Sequence, residues 1–247
     1  MSARDNIVKQ EIRDRYDSMA SSAAHPLGPR VNPARAYFWE RKLTTALALG
    51  SFRRGGNLLE IGCNVGQFSF ALADQGYRVT GVDLSAAAIS VAQRKAAEYQ
   101  RGAISFCVGD AEELKDFGDN QFDGVVSFST LRYAPNVSKA LGEMRRVLKP
   151  GETALVDFPN RLCPWFYLKS WFGSESHPHD RWHTAGEAKA LFTQAGFTDL
   201  RVKRILFTPT IAPDRLLPAF QALDGVLERT PLLRSFAGII MIAARKP

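Results

Sequence analysis

Three acidic side chains close apolar runs: Glu60 after Leu58-Leu59, Asp83 after Val82, and Asp110 just beyond Cys107-Val108. Between the first two lies the turn Gly62-Cys63-Asn64-Val65-Gly66-Gln67. Gly62 and Gly66 have no Cβ, so the backbone can turn sharply there and come close to a ligand, and Asn64 is among the few other residues that tolerate positive φ. Carboxylates at strand ends beside such a turn form a cradle for a small polar molecule at the carboxyl edge of a parallel sheet. A carboxylate accepts two hydroxyl hydrogen bonds at once, and charge-assisted bonds are the stronger ones, so Asp83 suits a pair of neighbouring hydroxyls. The spacing also selects against one cradle. A dinucleotide turn needs G-x-G-x-x-G, whereas here the glycines are four apart and Gln67 stands at the final position.

The elements that must position these groups alternate between strand and helix. Strands are predicted over 57–61, 77–82, 104–108, 122–128, 152–157, 200–207 and 236–244, with helices over 66–75, 86–99, 136–148, 185–195 and 213–228. Continuous apolar strands suit a parallel sheet covered by helices on both faces. Ahead of them lie an irregular amphipathic helix over 5–20 and a better one over 33–49, with proline in its first turn and Gly50 after its last. Gly55-Gly56 separates this part from the rest. The division expected is a helical N-terminal cap, residues 1–54, and one α/β domain, residues 55–247, carrying an acceptor-side insertion or lid at 157–185.

The run Glu60-x-Gly62-x-Asn64-x-Gly66 resembles motif I of the class I S-adenosylmethionine-dependent methyltransferases, (D/E)-x-G-x-G-x-G, with Asn64 in place of the central glycine. Gly109-Asp110-Ala111, the fourth-strand segment Phe122 to Phe128, and Arg146-Val147-Leu148-Lys149-Pro150-Gly151 resemble later motifs of that family, in the family's order. The resemblance spans about residues 57 to 157. It is closest to the small-molecule branch, the methyltransferase type 11-like proteins that include quinone-biosynthesis enzymes. It implies a Rossmann-like, doubly wound, seven-stranded, mainly parallel sheet whose last strand is antiparallel.

The resemblance also implies S-adenosylmethionine as cofactor and gives the residues roles. Asp83 would hold the ribose and Leu84 lie against adenine, while Asp110 and the Ala111 N–H meet the adenine edge. Glu60 would orient the turn of Gly62, Asn64 and Gly66 and reach the tail ammonium, with backbone near Gly62 and Ser127 along the tail. Tyr16, in Tyr16-Asp17-Ser18-Met19-Ala20, would fold over the tail, and Tyr133 would stand beside the acceptor. The plainer alternatives are a capping role for Asp83 or Asp110, a salt bridge for Glu60, helix packing for Tyr16 and core packing for Tyr133.

Methyl transfer from a sulfonium is an in-line displacement, so alignment supplies most of the acceleration. A hydroxyl acceptor must still lose a proton, and His177, His179 and His183, in Ser176-His177-Pro178-His179-Asp180-Arg181-Trp182-His183, are the candidate bases beside Tyr133. That cluster lacks a fourth ligand at zinc spacing, so no metal is expected. Six aromatics crowd 158–173, among them Trp165, Phe166, Trp171 and Phe172. They fit a lid core, an apolar acceptor pocket, or peripheral contact with a membrane.

Composition narrows the function classes. The 247 residues, 45% hydrophobic and 23% charged, suit one globular domain. The net charge of +7 comes from dispersed Lys and Arg, and Ser127-Phe128-Ser129-Thr130 replaces the tetrad that nucleic-acid-modifying relatives carry, which argues against a nucleic-acid partner. Three cysteines without paired spacing, and an N-terminus without an apolar leader, point to reduced thiols and a cytoplasmic location. The reading is a methyltransferase acting on a small, apolar or amphipathic metabolite. The alternatives are a catalytically silent scaffold of the same fold and a nicotinamide-dependent oxidoreductase.

Overall fold

The apolar runs come together as the strands of one sheet. The computed structural model describes residues 3–20, 32–168 and 179–247. In chain order the elements are α1 (Ala3–Ala20), α2 (Pro33–Gly50), β1 (Asn57–Ile61), α3 (Gln67–Asp74), β2 (Arg78–Asp83), α4 (Ala86–Glu98), β3 (Ile104–Val108), β4 (Phe122–Ser127), α5 (Val137–Val147), β5 (Leu148–Pro159), α6 (Pro164–Leu168), α7 (Ala185–Gln194), β6 (Thr198–Ile205), α8 (Leu217–Leu227) and β7 (Ile239–Arg245). The sheet order is β3-β2-β1-β4-β5-β7-β6. β1 to β5 are mutually parallel, and β7 runs antiparallel to both β5 and β6.

The chain winds outward from β1 through β2 to β3, then returns to the other side of β1 as β4. Their carboxyl ends therefore open a crevice at the point where the winding reverses, the usual ligand position in such sheets. Successive strand residues point to opposite faces, and both faces are buried. Leu59 and Val125 enter the core under α5 and α7, while their neighbours Leu58 and Val126 enter the core under α2 and α3.

Three differences from the sequence reading have local causes. β5 begins at Leu148 rather than 152, because Leu148 already pairs with Phe122 before the register jumps across Pro150-Gly151, where Gly151 has φ +77°. α8 starts at Leu217 rather than 213. Pro218 has no N–H to give to Asp214, so the chain opens with a 3-10 turn, Asp214–Leu216, and proline occupies the first helical turn. α6 is one short turn inside the aromatic segment.

One buried carboxylate ties α8 to the elements around the crevice. Asp224, fully buried on α8, accepts from the Tyr37 hydroxyl of α2 at 3.0 Å, from the backbone N–H of Phe207 and Thr208 at 2.7 and 3.1 Å, and from the Thr208 hydroxyl at 2.7 Å. An Asp224→Ala change leaves these donors without their acceptor, the Thr208 N–H and hydroxyl in buried surroundings. We expect it to cost about 3 kcal/mol of stability, read as a lowered midpoint in denaturant unfolding with the slope unchanged.

Candidate functional site

The turn after β1 takes the shape its residues permit. Gly62, Asn64 and Gly66 have φ of +75°, +50° and +87°. A Cβ on Gly62 would fall 2.0 Å from the Thr130 Oγ1, which itself donates to the Gly62 carbonyl at 3.2 Å. The backbone of β1 and the loop after β4 are thus pressed together at the winding reversal. Asp83 stands opposite, its two oxygens accepting from the Asn64 N–H at 2.8 Å and the Ser85 N–H at 2.9 Å. Burial raises its pKa, and these N–H groups oppose that rise.

Glu60, on β1, is 1% exposed and accepts from the Ser69 hydroxyl of α3. Burial pushes its carboxyl up to about 8, with Ser69 pulling down and the nearby Asp83 charge adding to the rise. Asp110 receives the Glu112 N–H at 2.8 Å and the Lys9 ammonium at 2.6 Å.

These groups border a cavity of about 220 Å³. Of the residues expected to bind the cofactor, Tyr16, Glu60, Gly62, Asn64, Asp83, Leu84, Asp110 and Ala111 line it. Gly66 and Ser127 do not: Gly66 shapes the turn and caps α3, and Ser127, fully buried, donates to the Ile61 carbonyl at 3.0 Å and clamps β4 to β1. α1 closes the top with Lys9, Ile12 and Tyr16, held by the Lys9 pairs to Asp110 and Glu112 and by Asp17, which accepts from the Ser85 hydroxyl at 2.5 Å. Tyr16 and Tyr133 meet across the cavity with ring centroids 6.1 Å apart.

Lys42 lines the cavity as well, and the sequence reading did not place it there. It is 1% exposed on α2, paired with Asp157 at 2.8 Å, donating to the Ser129 hydroxyl at 2.6 Å, and 5.4 to 5.6 Å from the ring centroids of Phe38, Phe68 and Phe128. Burial pushes its pKa down against the pull of Asp157. Asp157 also takes the N–H of Ser129 at 2.7 Å, holding that residue at φ +54°. The signal was present as a lysine in the inward stripe Ala34, Phe38, Lys42, Thr45 and Leu49, where an apolar residue belongs.

The candidate bases are placed less centrally. His179 pairs through Nε2 with Glu11 of α1 at 2.5 Å. His183 packs its ring on Phe158 at 4.8 Å, and burial pushes its pKa down. Neither lines the cavity, and Tyr133 does. His177, Trp171 and Phe172 lie outside the described residues. Trp165 and Phe166 also stand off the cavity, Phe166 stacking on Trp182 at 5.2 Å. Arg132 joins the loop after β4 to Asp180 through a double hydrogen bond, fixing the end of the insertion.

The lining suits S-adenosylmethionine in its chemistry. The Asn64 Oδ1 and Gln67 Oε1, on the cavity wall, are buried without hydrogen-bond partners, as acceptors awaiting a donor would be. Lys42 offers an ammonium for a carboxylate, Asp83 an acceptor for a diol, and the Phe38, Phe68 and Phe128 rings an apolar wall.

Known proteins agree with that chemistry. The family described as "Methyltransferase domain" matches residues 59–156. A ubiquinone biosynthesis O-methyltransferase of Alkalilimnicola ehrlichii is 30% identical over 177 residues, 70% of this chain and 68% of that protein. One of Idiomarina loihiensis is 27% identical over 221 residues, 84% and 87% of the two chains. The crystal structure of the [4+2]-cyclase SpnF shares the fold, with a TM-score of 0.69 at 23% identity over 97% of this chain and 96% of that one.

Glu60 gives the site a pH signature. Its carboxyl holds a proton in the folded chain up to about pH 8 but loses it near 4.5 when unfolded. Its contribution to stability is therefore complete below pH 4.5 and drains away as pH rises through 8. Thermal unfolding of the ligand-free protein between pH 5 and 8 should show wild type losing stability relative to Glu60→Gln, by up to about 1.4 kcal/mol per pH unit.

Proposed function

This chain belongs to the class I S-adenosylmethionine-dependent methyltransferases, and from that premise we propose that it methylates a hydroxyl oxygen on a small, apolar, quinone-type ring. The family membership removes the nicotinamide alternative. The observation that carries the reading is the mixed lining of the cavity. Asp83, Asn64, Gln67 and Lys42 make one part polar, and Phe38, Trp39, Phe68, Phe128, Tyr133 and Pro135 make the rest apolar. A flat, greasy ring with few polar atoms suits the second part. The two O-methyltransferase relatives, named for ubiquinone biosynthesis, support the same acceptor class.

In this reading Asp83 holds the ribose, Asn64, Gln67 and Glu60 receive the tail ammonium, and Lys42 meets the tail carboxylate. Asp110 and Ala111 border the adenine, with Leu84 against its face. When bound, S-adenosylmethionine supplies an electrophilic methyl group on a sulfonium. The protein's part is to hold the acceptor oxygen in line and to exclude water, for which the closed position of α1 is suited. Tyr133 stands beside the acceptor, with the Arg132 guanidinium 5.3 Å from its ring centroid and Tyr16 within hydrogen-bond reach. It orients the acceptor hydroxyl and takes its hydrogen bond. As the ether forms, the hydroxyl proton leaves to solvent; His179, paired with Glu11 of α1, and His183, packed on Phe158, lie off the cavity wall and do not reach the acceptor directly.

The assay is transfer of labelled methyl from S-adenosylmethionine to prenylated catechols and quinols. An ether product is expected, and Tyr133→Phe should lower kcat about a hundredfold while leaving the KM for the cofactor in place. Label recovered on carbon, or kcat unchanged in Tyr133→Phe, would contradict the O-methylation reading.

A further inference from the structure

α8 buries two carboxylates yet leaves apolar residues outside. Leu217 and Phe220 pack inward with Ala34, Tyr37 and Ala212, and on the same side Asp224 and Glu228, the latter at the helix end, turn their carboxylates to the backbone N–H groups of Leu206, Phe207 and Thr208, Glu228 also pairing with Arg41. An apolar stripe of α8 points out. Leu216, Ala219, Leu223 and Val226, at spacings of three, four and three, are all exposed, the three large ones at 52%, 46% and 63%. The chain on either side continues the surface with Ile211 at 59%, Leu232 at 81% and Phe236 at 45%. Exposed apolar surface in one stretch is a mark of something that covers it.

The charges around the stripe say what. Arg215, Arg229 and Arg234 are exposed along the same stretch and Lys203 on neighbouring β6, while Asp214 is the one exposed carboxylate between residues 208 and 238. The whole chain carries +7. A second copy docked face to face would set this arginine-bearing patch against the same patch of its partner. An anionic bilayer accepts both features, taking the leucines and the phenylalanine among its upper acyl chains and the guanidinium groups among its phosphates. No described helix is long and apolar enough to cross a membrane, so the contact would be one of lying on the surface.

We propose that the face formed by Ile211, α8 and residues 228–236 docks the protein onto anionic lipid surfaces. This surface is separate from the aromatic segment around Trp165. α2 connects it to the cavity: Tyr37 bonds α8 while the adjacent Phe38 and Trp39 line the site. The docking itself does not depend on the acceptor's identity.

The test is co-sedimentation of the full-length chain with phosphatidylcholine vesicles containing phosphatidylglycerol, against vesicles of phosphatidylcholine alone. Binding to the first and not the second is expected, weakening as salt is raised. Leu223→Asp with Val226→Asp should lower the partition coefficient at least tenfold, and Arg229→Gln with Arg234→Gln should lower it about tenfold and flatten its salt dependence. Unchanged S-adenosylhomocysteine binding in both variants certifies that they are folded and that the catalytic reading stands apart. The proposal is overturned if wild type stays in the supernatant or if both variants sediment like wild type. It is equally overturned if binding is lost in Trp165→Ala but kept in Leu223→Asp, or if light scattering shows a dimer that Leu223→Asp dissociates.

Discussion

The structure depends on keeping three carboxylates together in one crevice. Parallel strands that wind outward from β1 must end on the same edge, so Glu60, Asp83 and Asp110 converge whatever the rest of the sequence does. Burial makes Glu60 and Asp83 resist ionisation, and the Asp83 charge adds to the effect on Glu60. Each is answered locally: Glu60 by the Ser69 hydroxyl and by keeping its proton, Asp83 by two backbone N–H groups, Asp110 by the N–H of Glu112 and the ammonium of Lys9. Because backbone donors do much of this work, the turn geometry at Gly62, Asn64 and Gly66 is itself part of the electrostatics.

The two N-terminal helices bring the cations Lys9 and Lys42 to the carboxyl edge of the sheet. Lys9 of α1 reaches the third strand end, and Lys42 of α2 reaches the loop after β4, each more than sixty residues from its partner in the chain. A buried ammonium is costly unless paired, and Lys42 has Asp157, Ser129 and three aromatic faces around it. The same helices decide what the cavity can hold. α2 brings Phe38 and Trp39, α1 brings Ile12 and Tyr16, and the acceptor side becomes apolar.

The fold was legible in the sequence because its signals are local. Apolar runs of five or six residues marked the strands, and glycines at positive φ marked the turn, so even Asn64 took the left-handed conformation its chemistry allows. The ends of β5 and α8 were missed where one residue overrode the pattern, Leu148 by pairing early and Pro218 by lacking an N–H. The strand-end part of the site was readable for the same local reason. Of what covers it, the sequence pointed to Tyr16, whereas the roles of Lys42 and Lys9 come from partners remote in the chain. The histidine loop, where spacing suggested chemistry, places His179 and His183 at the edge of α1 and on Phe158 rather than on the cavity wall. Spacing within a loop carries no information about the direction in which the loop faces.

The claim on which all of this rests is that the crevice at the β1, β2 and β3 ends grips an adenosyl sulfonium through Asp83. Titration calorimetry of the purified chain with S-adenosylhomocysteine tests it most directly. Saturable one-to-one binding is predicted, weakened about a hundredfold or more in Asp83→Ala, where the carboxylate's two charge-assisted bonds are gone. Absence of binding in the wild type, or equal affinity in the variant, would contradict the account.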